Sequence, residues 1–389
     1  MLNENQIEKY LYKYVRRQDE FILFVLSTTA ARVFANNKIQ SFDKMFTMKE
    51  AFKVSHDMTL INRAKTTLIQ EQIFSLGEDL HAIALATYAD TSSLYTVQPV
   101  FRTNTELVNE INNLIDESKE KLRKIISKPV FILNNKKYAP DEAYRLITQD
   151  ALLNKQVVGE KTAIRNALNR LYDAPIKFVT NDTSDDSEDV TSATNTLRMS
   201  VLSFIKDVFK KVSDIVKEQV KCDGIELSAH VCPAPDHAPA QGHQFSNEEF
   251  EKMQSGQDFV DVNGNHYVGF VRQIGQWNCR HYVKPIKIGK SVPEHSQAEL
   301  DKILADNQKG YTTKDGRHYT LYECTQVQRG YERKIRENKE KYVLANIVED
   351  KVKMQQYKGK VTTLTREYRA FSTACGLPYK AERLKVKDY

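Results

Sequence analysis

The sequence predicts an α+β protein with a mainly helical N-terminal region, a small α+β domain and charged C-terminal helices. Apolar residues recur at helical spacing up to about residue 180, ten of the 14 glycines lie between Gly224 and Gly330, and charge dominates beyond Tyr322. Helical periodicity buries one stripe of a helix, whereas clustered glycines are typical of turns between short strands. We therefore divide the chain at these changes of pattern, into 1–180, 181–192, 193–325 and 326–389.

The N-terminal region, 1–180, carries apolar side chains on one face of its predicted helices. One set has the spacing i, i+3, i+4 and i+7: Ile7, Tyr10, Leu11 and Tyr14. A further helix is predicted to begin at Thr103, Asn104 or Thr105, whose side chains all suit an N-cap, and to end at Lys128–Pro129. Such amphipathic faces suit contacts with partner helices.

An acidic stretch, Asn181–Asp189, separates this region from the next. Its residues are all polar or acidic and cannot bury a core, so 181–192 is predicted to be an exposed loop or linker. Apolar residues from Val201 to Val220 then mark one face of a long helix. Gly224 follows this helix and suits its left-handed C-terminal cap.

Short β-like segments fill the chain after Gly224. Asn263–Gly264 and Asp315–Gly316 are dipeptides that favour tight turns between antiparallel strands. Together with the preceding amphipathic helix, they predict a compact α+β domain over 193–325.

Composition argues against several classes of protein. No apolar run reaches the roughly 18–20 residues that span a bilayer, and the N-terminus lacks the pattern of a signal peptide. We therefore expect a protein kept in a cytoplasm, without membrane contact. Five widely spaced cysteines do not describe a disulfide framework. The sequence also lacks a glycine-rich phosphate loop, a Gly-x-Ser-x-Gly elbow and a His-Glu-x-x-His motif.

The net charge of +6 is concentrated at the C-terminus. Residues 329–389 contain 16 Lys and Arg against 8 Asp and Glu, a balance of +8, so the rest of the chain is slightly acidic. A basic segment suits a polyanion such as nucleic acid, or an acidic protein surface. A solvated helix face with mixed charges is the alternative.

Histidines concentrate in the α+β domain, where seven of the nine lie between His230 and His318. Two thiols and two imidazoles in this stretch are of the types that bind tetrahedral zinc: Cys232, His237, Cys279 and His281. Their spacing is not one of the usual zinc patterns, and Cys-x-His is tight. A structural zinc is therefore one of three alternatives.

The second alternative is catalytic and the third is structural. Histidines beside a cation form an acid–base set for phosphodiester or other hydrolysis, here His230, Asp236, His237, Arg280 and His281. In the structural alternative, the same side chains hydrogen-bond the backbones of the loops, and Trp277 anchors the core of the domain.

The order of these residues resembles the phage minor capsid protein 2 family, relatives of the MuF-like head-morphogenesis proteins. Three groups of residues carry the resemblance. They are Leu227–His230 with Pro235, Asp236, His237, Ala238, Pro239, Gln241, Gly242, Phe245 and Ser246; then Asn278, Cys279, Arg280, His281, Pro285 and Gly289; then Gln326, Gln328, Arg329, Glu332, Arg333, Ile335, Arg336 and Lys339. The resemblance runs from roughly Leu197 to the C-terminus and implies a MuF-like α+β domain.

The resemblance implies a structural minor head protein without enzymatic activity or cofactor. Its expected place is the virion, in the head interior or at the portal vertex, and the host cytoplasm during assembly. Expected partners are the portal protein and the major capsid or scaffold proteins. The basic C-terminus adds non-specific contact with packaged DNA, and ejection with the genome is a further expectation.

The resemblance carries over no catalytic residue, so its motif residues are interpreted as structural: Asp236, Gln241, Gly242, Trp277 and Asn278. A nuclease that uses His230, His237, Arg280 and His281 is the alternative, since the MuF-like core is similar to small nuclease folds.

Overall fold

The computed structural model of this protein describes residues 4–37, 44–127, 129–133, 136–159, 162–163, 166–167, 169–170, 176–179, 190–261, 264–276 and 279–389. Helices account for 67% of the structure, and a few small antiparallel sheets accompany them. The predicted mainly helical architecture with a small α+β portion is therefore confirmed. Of the described helices, none is long and apolar enough to cross a membrane. The acidic stretch 181–189, Trp277 and Asn278 lie outside the described residues.

The α-helices are α1 (Glu4–Asn37), α2 (Lys44–Ala89), α3 (Thr105–Ser127), α4 (Pro140–Val158), α5 (Ala193–Val220), α6 (Asn247–Gln254), α7 (Gln297–Lys309), α8 (Leu321–Ile347) and α9 (Lys351–Ala374). Helix α3 begins where the sequence predicts, because the side-chain oxygen of Asn104 accepts a hydrogen bond from the backbone N–H of Leu107 (3.4 Å). It ends just before Pro129, as predicted.

Two apolar cores lie along α1 and α2. The first contains the start of α1, the end of α2, and helices α3 and α5; among its buried members are Leu11, Leu80, Ile111 and Val208. The second contains the rest of α1 and the first half of α2, packed against α4 and the end of α8; among its members are Phe21, Val25, Ile61, Tyr144 and Leu344. Helix α1 therefore links both cores.

A four-stranded antiparallel sheet has three strands in the region that the sequence predicts to be helical, 1–180, and its fourth in the predicted loop or linker, 181–192. Its strands are β1 (Pro129–Leu133), β2 (Lys136–Tyr138), β3 (Ile176–Val179) and β4 (Val190–Ser192), in the order β2-β1-β3-β4. Periodicity does not identify segments this short. β1 and β2 form a local hairpin, whereas β1 and β3 pair between distant parts of the chain, as in Phe131 opposite Ile176.

The α+β domain contains a three-stranded antiparallel sheet and two hairpins. The sheet has the order β6-β5-β9, from β5 (Gly224–Leu227), β6 (Gln244–Ser246) and β9 (Val283–Ile286). The hairpins pair β7 (Phe259–Val260) with β8 (His266–Tyr267) and β10 (Tyr311–Thr312) with β11 (His318–Tyr319). Both hairpins were predicted from their turn dipeptides.

The predicted long amphipathic helix is α5, but its predicted cap is wrong. Lys221, with φ 54°, is the left-handed residue after the helix. Gly224 instead begins β5, where a Cβ atom would lie 2.7 Å from the carbonyl oxygen of Phe245. Glycine is needed there for the close approach of two strands, not for a helix cap.

Helix α5 also contacts the small sheet. The Ser213 hydroxyl donates to the carbonyl of Val283 in β9 (2.9 Å), and the ring centroids of Phe209 and Tyr282 are 5.4 Å apart. This helix therefore packs both on the N-terminal helices and on the α+β domain. Its contacts fix the position of the loop after β5 and of the loop before β9.

Candidate functional site

Two loops at one edge of the β6-β5-β9 sheet form the candidate site. One follows β5 and the other precedes β9. These strands are antiparallel and Leu227 pairs with Val283, so the end of β5 lies beside the start of β9. The N–H of Ser228 continues the pairing by donating to the carbonyl of Tyr282 (3.0 Å). The two histidine-containing motifs of the sequence thus meet in space.

Tight turns hold the first loop in place. The N–H of His237 donates to the carbonyl of Ala234 (3.1 Å), and the N–H of Gly242 donates to the carbonyl of Leu227 (2.7 Å). Gly242 has φ 74°, and a Cβ atom there would lie 2.3 Å from a methyl carbon of Leu300. Both facts require glycine at this position.

His237, Cys279 and His281 come together in the interior of the domain. The Sγ atom of Cys279 lies 3.7 Å from Nδ1 of His237 and 3.7 Å from Nδ1 of His281. The three side chains are 0%, 2% and 2% exposed, and their ligand atoms all lie within 4.8 Å of one another. Three of the four candidate zinc ligands therefore share one place.

Cys232, the fourth candidate ligand, is not part of that group. It lines a cavity of about 60 Å³ beside the three ligands. The pKa of its thiol is raised to about 11, chiefly by burial and also by Cys324, while the charge of Lys380 acts in the opposite direction. The thiol of the cluster is that of Cys279.

Hydrogen bonds fix the tautomer of His237. Its Nε2 atom lies 2.5 Å from the carbonyl oxygen of Arg272, which can only accept, so Nε2 carries a proton. Arg272 is held in turn by both carboxylate oxygens of Asp236 (3.0 and 3.1 Å). In the neutral imidazole, Nδ1 then faces the sulfur of Cys279 with a free lone pair.

The same reasoning fixes His281. The backbone N–H of His230 donates to Oε1 of Gln241 (3.1 Å), which identifies that atom as oxygen. Nε2 of His281 lies 3.3 Å from this oxygen and must therefore be the donor. Its Nδ1 atom, like that of His237, is left as an acceptor facing Cys279.

His230 stacks against the cluster without joining it. Its ring centroid lies 4.4 Å from that of His281. Its Nδ1 atom is buried and has no hydrogen-bond partner among the described residues. Burial, with the nearby His237 and Lys206, lowers the pKa of His230 to about 4, so the ring is neutral at pH 7.

Burial and charge act in opposite directions on Cys279. Burial raises the pKa of its thiol, but the hydrogen-bonding contact with His237 and the charge of Lys206 outweigh burial and lower the pKa to about 7. The pKa of His281 is lowered far below its ordinary value, chiefly by burial and then by His230. The cluster thus combines a neutral imidazole with a readily ionised thiol.

Lys206 is a site residue that the sequence analysis missed. This lysine of α5 is 8% exposed, and burial lowers its pKa to about 8. It lines a cavity of about 200 Å³ together with His230 and His281. The one signal in the sequence is a lysine beside Ile205 on the buried face of an amphipathic helix.

Arg280, a candidate for the acid–base set, is engaged in an ion pair. It donates to Glu8 of α1 (2.9 Å). The imidazoles of His237 and His281 are enclosed, and the two cavities beside them, about 60 and about 200 Å³, are both smaller than the roughly 300 Å³ or more of small-molecule sites. This geometry suits a single ion or water molecule better than a nucleotide.

The family model for phage minor capsid protein 2 matches residues 56–372, well over half of the chain. The match contains both loops of the site and most of the α8–α9 pair. It also begins far upstream of Leu197, so the shorter extent inferred from the sequence motifs was wrong. No curated protein and no solved structure gives a significant match. Because the family model matches most of the chain, including the site, this chain belongs to the phage minor capsid protein 2 family and is a structural protein of the phage head.

Proposed function

We propose that this protein is a minor component of the head interior that binds the portal protein at its vertex and acts in head assembly. Membership of the family supports a place in the head. The structural observation that carries the proposal is an open groove between α2 and α3, of about 940 Å³.

The groove has the character of a protein-binding surface. Its floor is apolar, with Ile69, Ile73 and Ile115, and Phe74 stands at its side with 66% of its surface exposed. An exposed aromatic side chain beside an apolar groove is a typical anchor for a partner helix. Among head proteins we propose the portal as this partner, because the sequence resemblance implies association with it.

Co-expression with the portal protein of the same phage tests this proposal. We expect the full-length chain to co-purify with the portal, and Phe74→Asp to reduce the amount recovered. Val292→Asp is the matched control, because Val292 is 85% exposed and lies in the α+β domain. Failure to co-purify, or equal recovery of Phe74→Asp and wild type, would overturn the proposed portal contact.

We also propose contact between packaged DNA and helix α9. This helix carries six Lys and Arg residues and one acidic residue, Glu367. Five of the basic residues are exposed: Lys351, Lys358, Lys360, Arg366 and Arg369. Contacts of this kind bind phosphates without reading sequence.

A protein held on DNA in this way would leave the head with the genome. Mass spectrometry of particles before and after ejection in vitro tests this step. We expect the protein in full heads and its loss from emptied ones; retention in emptied heads would contradict it.

A further inference from the structure

We propose that His237, Cys279 and His281 bind one zinc-type divalent metal ion, with a fourth coordination position open to the adjacent small cavity. This site is independent of the portal and DNA contacts, since it lies in the interior of the α+β domain. Its role is to join the loop after β5 to the loop before β9.

The distances suit tetrahedral coordination. Zinc binds sulfur at about 2.3 Å and imidazole nitrogen at about 2.0–2.1 Å, so two such ligands lie roughly 3.5 Å apart across the ion. The two separations between Sγ of Cys279 and the imidazole Nδ1 atoms are both 3.7 Å. Two of the three separations between ligand atoms therefore already suit an ion, and the third, between the two nitrogen atoms, is within 4.8 Å.

A count of protons shows that the cluster is incomplete as it stands. Each Nδ1 atom facing Cys279 is an acceptor, because the Nε2 atom of each ring is the donor. The thiol has one proton and can satisfy only one of the two acceptors. Leaving the other acceptor unpaired in the interior costs free energy. A cation between the three atoms accepts one lone pair from the sulfur and one from each Nδ1 atom.

The hydrogen bonds behind the ligands are those that metal-binding histidines use. Such a histidine donates its other ring N–H to a carbonyl or carboxylate, which fixes the ring and its tautomer. His237 donates to the backbone carbonyl of Arg272, and His281 donates to the amide oxygen of Gln241. Asp236, which forms an ion pair with Arg272, also lies 3.4 Å from Nε2 of His237.

The fourth position has room for a water molecule. The cavity of about 60 Å³ is lined by all three ligands and by His230 and Cys232. A water molecule bound to the ion there would also supply a donor for the Nδ1 atom of His230, which has no partner among the described side chains. One ion and its water molecule thus provide partners both for the unpaired Nδ1 atom facing Cys279 and for the Nδ1 atom of His230.

Metal analysis of the purified full-length chain, after incubation with zinc sulfate and desalting, tests the site. We expect about one zinc ion per chain, the stoichiometry of a single structural site. Cys279→Ser and His281→Ala should lose most of the bound zinc. Cys375→Ser is the matched control, since Cys375 is also a buried free thiol but lies at the end of α9.

Cobalt keeps the test decisive if a variant fails to fold. Wild-type protein loaded with Co²⁺ should show a thiolate-to-cobalt absorption band in the near ultraviolet and visible bands of tetrahedral cobalt. Folded wild-type protein without bound zinc would overturn the proposal. So would zinc retained by a folded Cys279→Ser variant, or a cobalt complex without the thiolate band.

Discussion

One carboxylate, that of Glu8, holds together three distant segments of the chain. Its oxygens lie 2.9 Å from Arg198 in α5, 2.9 Å from Arg280 beside Cys279, and 2.8 Å from Arg383 near the C-terminus. The Glu8 side chain is only 15% exposed. Removing one partner of a buried ion pair leaves uncompensated charge, which costs more than the pair itself contributes.

We therefore expect Glu8→Gln to lower the free energy of unfolding by about 3 kcal/mol at pH 7. Urea denaturation followed by circular dichroism measures this loss. Glu71→Gln, at an exposed position of α2, is the control and should change stability by less than about 0.5 kcal/mol. A loss for Glu8→Gln no larger than that of the control would show that the arginines find other partners.

The effect of Glu8 should depend on pH in a defined direction. Burial raises its pKa, but Arg198 and Arg383 outweigh burial, so the pKa is held below the ordinary value of 4.5. A lowered pKa gives stability that is present above the unfolded pKa and lost as pH falls through the folded pKa. The difference between wild type and Glu8→Gln should thus be largest near neutral pH and shrink in acid.

Gln241 tests how far the proposed metal site depends on the residues behind its ligands. Its Oε1 atom accepts from both the backbone of His230 and the ring of His281. Gln241→Leu removes this acceptor at similar volume, so zinc affinity should fall by about 10–100-fold in chelator competition. Gln328→Leu is the control, because Gln328 is also buried but donates to Ser372 (2.8 Å). Unchanged affinity in Gln241→Leu would mean that the His281 ring is fixed by packing alone.

Residue types alone identified His237, Cys279 and His281 as candidates, because thiol and imidazole are distinctive ligands. The sequence could not separate Cys279 from Cys232, since both lie near a histidine in the chain. The role of Glu8 could not be predicted from the sequence either, because Glu8 and Arg280 are 272 residues apart in the chain. Contacts of that kind depend on how helices pack, which local spacing does not encode.

At the scale of elements, helix α9 is more strongly basic than the average composition of the C-terminal segment indicates. The 16 basic and 8 acidic residues of 329–389 looked mixed, but α9 itself holds six basic residues and one acid. Lys351 and Lys358 are seven residues apart, which is nearly two full turns, so they lie on one side of the helix. Both lysines are exposed on the flank of α9, roughly 100–120° around the helix from the buried Tyr357, and provide the positive charge that the proposed DNA contact requires.

We expect Lys358→Glu with Arg366→Glu to weaken DNA binding and to flatten its salt dependence. Each phosphate contact contributes about 0.9 to the slope of log affinity against log salt, so losing two contacts should lower the slope by about 2. Fluorescence anisotropy with duplex DNA of mixed sequence at several salt concentrations measures this. Lys302→Glu on α7, which is also exposed, is the control. An unchanged slope in the double variant would place the DNA contact elsewhere.

The elements that the sequence predicted well are those with many residues in one pattern. Helix α3 and helix α5 each repeat their apolar stripe over several turns, and the two hairpins carry strong turn dipeptides. Strands β1 to β4 are too short for an apolar stripe, because each is five residues or shorter. β1 pairs with the adjacent β2, but its other partner, β3, lies far along the chain. The complete four-stranded sheet therefore depends on how distant segments pack together, which no short stretch of the sequence shows.

At the scale of the whole molecule, the family match and the folding unit have different boundaries. The match begins at His56, within α2, and so leaves out α1 entirely. Yet α1 supplies Leu11 and Tyr14 to the first core and Phe21 and Val25 to the second. Helix α1, which lies outside the family match, therefore completes the cores of the matched part of the chain.

We expect a chain that starts at His56 to be unable to fold as the full chain does. Buried Val, Leu, Ile and Phe side chains of α1 are Ile7, Leu11, Val15, Phe21, Leu23, Val25, Leu26 and Val33. At about 1.5–3 kcal/mol each, their burial exceeds about 10 kcal/mol, which is comparable to the entire net stability of a typical protein. The truncated chain should aggregate or melt without cooperativity in differential scanning calorimetry, and co-expression of residues 1–55 as a separate peptide should restore soluble, cooperatively melting protein. A truncated chain that melts cooperatively on its own would show that α1 packs on a core which the rest of the chain completes without it.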